Sequence, residues 1–135
     1  MQTTKQFICV AIYLKGYELN PEYVTQMIGV QPSKSQKKGG LKPNSTRFVA
    51  KIGMWMVDVE SRTLSVSELI DELLQKIGNP SVRLDEIKGV EDAFLDIFVP
   101  LSKDGKINEP LEFALTKNQI TKLNQLGLSV EVTVS

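Results

Sequence analysis

The apolar positions of this chain change period along its length, and the changes mark out its elements. Phe7 to Leu14 is apolar on both alternating sets, with Phe7, Cys9, Ala11 and Tyr13 on one and Ile8, Val10, Ile12 and Leu14 on the other. A strand without a polar face belongs in the middle of a sheet covered on both sides. Asn20-Pro21-Glu22 then opens a short helix. Asn20 is its N-cap, and Pro21 takes the first helical position, where a missing N–H costs nothing. Val24, Met27 and Ile28 form the apolar stripe, and Gly29 supplies the left-handed stop. From Gln31 to Thr46 no period survives; the stretch is turn-forming, basic and nearly free of apolar residues, and reads as one long loop. Phe48 to Ile52 and Met54 to Val59 alternate at period two, with Gly53 between them as a turn or bulge.

The second half is more sharply punctuated. Ser65 and Glu68 form a capping box, in which each side chain satisfies the other's backbone N–H. Val66, Leu69, Ile70, Leu73, Leu74 and Ile77 follow at helical spacing, the clearest periodicity in the chain, until Gly78. A shorter helical turn follows, with Val82, Leu84 and Ile87 inward and Gly89 as its stop. Val90 to Val99 reads as a strand ended by Pro100, and Lys103 to Lys106 as a turn around Asp104-Gly105. Leu111, Phe113 and Leu115 alternate as its hairpin partner. Thr116 and Gln119 repeat the capping box for a helix that buries Ile120, Leu123 and Leu126 and stops at Gly127. Leu128, Val130, Val132 and Val134 then alternate with Ser129, Glu131, Thr133 and Ser135, a strand with one wet face.

This order predicts an α/β (α+β) fold. A single mainly antiparallel or mixed sheet of about five to six strands packs with about three to four helices in one globular domain over residues 1–135. A chain of 135 residues buries about two thirds of its unfolded surface, so a core without disulfides is feasible. The Phe7–Leu14 run is too short for a membrane span, and the polar Met1–Gln6 start does not resemble a secretory signal. A cytoplasmic location without membrane attachment is the expectation.

Composition then narrows the chemistry. The chain has no histidine and one cysteine, which removes histidine-dependent triads, Cys/His zinc sites, redox Cys-x-x-Cys pairs and internal disulfides. Cys9, inside an apolar run and without an imidazole to activate it, reads as a small buried hydrophobe. The adjacent carboxylates Asp71-Glu72, Asp85-Glu86 and Glu91-Asp92 point to different faces and read as solvated surface. Gly39-Gly40 lacks the pattern of a phosphate-binding loop. No catalytic residue, metal site or cofactor is assigned, and the reading leans away from an enzyme.

Charge is more informative than composition. Sixteen basic and sixteen acidic residues balance to zero. Residues 1–55 nevertheless hold eight basic and two acidic groups (+6), and residues 56–135 hold eight basic and fourteen acidic groups (−6). Six of the basic groups lie between Lys34 and Lys51 with no acid among them. Lys34, Lys37, Lys38, Lys42 and Arg47 are therefore candidate binding residues for phosphates or an acidic protein surface. Trp55 is most simply core, with a ligand-pocket wall as the sharper reading. Asp96, between Phe94 and Phe98 on a strand, is a candidate buried or half-buried carboxylate beside that pocket, with an edge face open to water as the plainer reading.

Several short motifs carry a family resemblance. They are Leu19-Asn20-Pro21-Glu22, Ile28-Gly29-Val30-Gln31-Pro32-Ser33, Lys37-Lys38-Gly39, the lone Trp55 opening a strand, and the ending Leu115-Thr116 through Leu126-Gly127 to Val130-Glu131-Val132. Together they resemble the bacterial domain-of-unknown-function family DUF4279 over nearly the whole chain. The resemblance implies a compact α/β domain in a bacterial or phage-encoded cytosolic setting, and carries no activity with it. Small stand-alone domains of this type include suspected toxin-neutralising proteins. The favoured expectation is a non-enzymatic protein-binding module, immunity-like in kind, that uses the basic loop and adjacent sheet surface. The alternatives are phosphate or nucleic-acid binding through residues 34–51, and a small-ligand sensor with a pocket near Trp55 and Asp96. The oligomeric state is left open.

Overall fold

The computed structural model describes residues 6–40, 50–107 and 111–135. Along the chain run β1 (Ile8–Gly16), α1 (Pro21–Ile28), β2 (Lys34–Gln36), β3 (Gly53–Ser61), α2 (Val66–Ile77), β4 (Asp92–Val99), α3 (Lys117–Leu126) and β5 (Ser129–Val134). A single 3-10 turn, Leu84–Glu86, takes the place of the short helix expected there and still buries Leu84 and Ile87. The strands form one mixed sheet in the order β2-β3-β1-β4-β5. All neighbours are antiparallel except β4 and β5, which run parallel. The fold is α+β.

The helix ends follow from their capping residues. Asn20 Oδ1 accepts from the N–H groups of Glu22 (3.0 Å) and Tyr23 (3.4 Å), and Gly29 closes α1 with φ 83°. Ser65 with Glu68 and Thr116 with Gln119 form the two expected capping boxes. The core lies between the sheet and one layer of helices. Val10, Ile12 and Leu14 of β1, Trp55 and Val57 of β3, and Leu95 and Ile97 of β4 meet Leu69, Ile70 and Leu73 of α2, all fully buried. Every such buried side chain removes an apolar surface worth about 1.5–3 kcal/mol from water.

β1 is the central strand, as its doubly apolar sequence implies, but helices cover only one of its faces. The even positions carry the core. The odd positions, Phe7, Cys9, Ala11 and Tyr13, lie on a face over which no helix packs among the described residues. Among the described residues their apolar character lines a hollow on this face rather than a second core under helices.

Five further expectations change. The long loop contains β2, because Lys34–Gln36 pairs with Met54–Met56 at the sheet edge. Gly53 is neither turn nor bulge: it begins β3 opposite Gly16, where a Cβ would meet the Leu19 carbonyl oxygen at 2.5 Å. Ala50 to Ile52 lies outside any strand, and Phe48 lies outside the described residues. Leu111, Phe113 and Leu115 do not form a hairpin strand, because β1 and β5 already occupy both edges of β4; they pack half-buried against the core instead. In α3 Leu123 and Leu126 are buried as expected, but the first inward position is Gln119 rather than Ile120. Gln119 is 2 % exposed and Ile120 is 55 % exposed.

Candidate functional site

The helix-free face of the sheet is built from side chains that alternate with the core. β1 contributes Cys9, Ala11, Tyr13 and Lys15; β3 contributes Met54, Met56, Asp58 and Glu60; β4 contributes Phe94, Asp96 and Phe98. Ala11 lies in register between Asp58 on one side and Asp96 on the other. A methyl group between two carboxylates, with longer side chains around it, makes a depression. The resulting hollow is about 320 Å³. Its walls include the aromatic rings of Phe7, Tyr13 and Phe98, and its polar groups are Asp58, Glu60, Asp96, Cys9 and Lys34.

Contacts around the hollow fix these groups in place. Thr133 Oγ1 donates to Asp96 Oδ1 at 2.8 Å. The Cys9 thiol donates to Asp58 Oδ2 at 3.6 Å. The Tyr13 and Phe94 rings stack at 5.3 Å, and the Lys15 ammonium sits over both, at 5.2 Å and 5.4 Å. The Arg62 guanidinium lies 5.2 Å from the Phe7 ring centre. The face therefore already holds two cations against its rings, as the negative π-faces of aromatic residues favour.

The electrostatics of the hollow are acidic. Burial pushes the Cys9 thiol up to about 12, helped by Asp58 through its charge and its hydrogen bond, and by Glu60 and Asp96 through charge. Burial also raises the Tyr13 phenol, with the Asp96 charge next in effect. Both groups stay protonated near neutral pH, so neither is an activated nucleophile. The Cys9 sulfur and one oxygen each of Asp58 and Glu60 lie within 4.8 Å of one another, the one metal-competent grouping among the described residues.

The candidate residues from the sequence are dispersed. Asp96 is half-buried in the hollow, and Lys34, exposed on β2, lines its rim. Lys37 is exposed in the turn after β2. Lys38 reaches Glu18 Oε1 at 2.7 Å and lies 3.8 Å from the Tyr17 ring centre, so an acid from outside the loop neutralises it. Its hydrogen bond to Glu18 holds its ammonium above the ordinary lysine range. Lys42 and Arg47 lie outside the described residues. Trp55 is core and does not wall a pocket: it is fully buried on the helix side, and its indole N–H donates to Thr25 Oγ1 at 3.0 Å. The expected pocket near Trp55 and Asp96 therefore separates, since the two residues stand on opposite faces.

Asp58, Ala11 and the aromatic walls were not singled out by their residue types. Their signal was the second apolar set of β1, together with the acids alternating against Trp55 and Val57. Only the strand order turns those positions into one site. The family model for a domain of unknown function, DUF4279, matches residues 3–135. The chain belongs to the DUF4279 family. No curated protein and no solved structure matches it. Among the described residues of this DUF4279 domain, no helix is long and apolar enough to cross a membrane.

Proposed function

We propose that this DUF4279 domain is a non-enzymatic binding module that docks a protein partner on the helix-free face of its sheet. The partner presents a lysine or arginine side chain to the hollow between Asp58 and Asp96. The observation that carries the reading is the composition of that face: aromatic walls, a small apolar floor at Ala11, and carboxylates on both sides of it. Apolar surface with a few convergent polar groups is the usual make-up of a recognition site, and rings with carboxylates select a cation. A masking role of the immunity kind, capping a basic surface of an active partner in the bacterial cytosol, fits this chemistry. Nucleic acid fits it less well, because the phosphate backbone would meet Asp58, Glu60 and Asp96.

The test is affinity purification from the native host at low and moderate salt, with the wild-type chain and the double variant Asp58→Asn, Asp96→Asn. A stoichiometric partner held by the wild type, and held at least tenfold less by the variant, supports the reading. No partner at either salt, or equal capture by both baits, overturns it.

A further inference from the structure

β5 lies beside β4 at one edge of the sheet, and its other side is unpaired among the described residues. All six of its residues are exposed. Val130, Val132 and Val134 retain 40, 52 and 53 % of their surface, although they stand on the helix side, in register with the buried Leu95, Ile97 and Val99. The backbone points outward at the same positions. Ser135 donates its N–H to the Val99 carbonyl at 3.2 Å and accepts from the Leu101 N–H at 2.9 Å. Main-chain groups alternate in direction along a strand, so Ser129, Glu131 and Thr133 also face β4. Val130, Val132 and Val134 therefore aim both N–H and C=O at the free edge.

The sequence of this edge is nearly symmetric. Ser129-Val130-Glu131-Val132-Thr133-Val134-Ser135 reads the same in both directions about Val132, save that Glu131 mirrors Thr133. It contains no Lys or Pro, which commonly block edge pairing, and Glu131 is its one charged side chain. We propose that β5 pairs antiparallel with β5 of a second copy of this chain, centred on Val132. Val132 then lies opposite Val132 of the partner subunit, and Val130 opposite Val134 of the partner subunit. Each of these positions exchanges two backbone hydrogen bonds, which uses every outward group of the three valines. The valine side chains of both copies form one apolar stripe. Glu131 faces Thr133 of the partner subunit rather than a second glutamate, so no like charges stand directly opposite. About this axis a second copy matches the strand at every position, valine against valine, serine against serine and Glu131 against an uncharged threonine, so its own sequence is a complementary partner for the edge. The two-fold axis stands normal to the sheet, and the helix-free faces of both copies come out on the same side.

Sedimentation velocity over a concentration series tests this with the full chain and with Val132→Pro and Val132→Lys. Proline removes an N–H that β4 does not use, so the edge tolerates it; lysine places like charges at the axis. The wild type is expected at twice the chain mass, and both variants at the single-chain mass with wild-type circular dichroism. If Val132→Pro fails to fold, Val132→Lys decides alone. A wild type that stays at single-chain mass throughout, or a dimer that survives the lysine substitution, overturns the proposal.

Discussion

Replacing Gln119 by alanine should cost far more stability than replacing its neighbour Ile120, against the ordinary hydrophobicity order. Gln119, in the first turn of α3, is almost fully buried. Its Oε1 accepts from the Thr116 N–H at 2.9 Å, and its Nε2 reaches the Ser67 carbonyl (3.1 Å), Ser67 Oγ (3.0 Å) and Asp71 Oδ1 (2.9 Å) on α2. One side chain thus completes the capping box of its own helix and ties that helix to the next. A net hydrogen bond is worth about 1 kcal/mol, and half a capping box about as much. Ser67 and Asp71 lie near solvent, so water partly replaces the lost contacts. Gln119→Ala should therefore cost about 2–3 kcal/mol. Ile120, 55 % exposed, has little burial to lose and gains helix propensity as alanine, so Ile120→Ala should fall within about 0.5 kcal/mol of wild type. Urea unfolding followed through the emission of Trp55, the lone tryptophan and fully buried, measures both. An Ile120→Ala cost larger than that of Gln119→Ala would refute the register of α3 described above.

Gly53→Ala should destabilise the fold by about 2–4 kcal/mol, because its Cβ would stand 2.5 Å from the Leu19 carbonyl oxygen and 2.8 Å from the Leu19 Cβ; the same unfolding curves check it, and a loss below 1 kcal/mol contradicts the close approach. Cys9 should react slowly with alkylating reagents in the folded protein at mildly alkaline pH, and faster in Asp58→Asn, which removes the first charged group holding its proton. Equal rates in the two proteins would contradict the assigned role of Asp58. The same thiol gives a sign for stability. Its folded value of about 12 exceeds the ordinary thiol value of 9.0, so the folded state keeps a proton that the unfolded chain releases. Its contribution is fully present below pH 9 and is lost as pH rises toward 12. Wild type should therefore lose stability relative to Cys9→Ala across that alkaline window, and parallel curves would count against it.

The elements legible in the sequence are those whose local chemistry and burial agree. α2 has a capping box, six apolar positions at helical spacing and a glycine stop, and all six positions are buried. The elements misread are those decided by neighbours distant in sequence. Lys34–Gln36 has no apolar signal and becomes a strand because β3 offers an edge. Leu111, Phe113 and Leu115 have a strand's alternation but find no edge of β4 left to pair with. Ile120 looked like core, yet the polar groups of Ser67 and Asp71 make the inward position suit glutamine. The candidate site divides in the same way. Asp96 was visible as a carboxylate between two phenylalanines. Its relation to Ala11 and Asp58 depends on β1 lying between β3 and β4, which no periodicity encodes. The sequence-wide split in charge pointed to a basic loop, whereas the hollow is acidic and draws Asp58, Glu60 and Asp96 from the acidic part of the chain.

The claim that the helix-free face is the binding surface is tested most directly by methionine-methyl NMR of the chain titrated with its purified partner. Met54 and Met56 lie on that face, and Met27 lies on α1 across the sheet. Binding should shift or broaden the Met54 and Met56 methyl signals and leave Met27 in place. A Met27 signal that moves while Met54 and Met56 stay fixed would contradict the account.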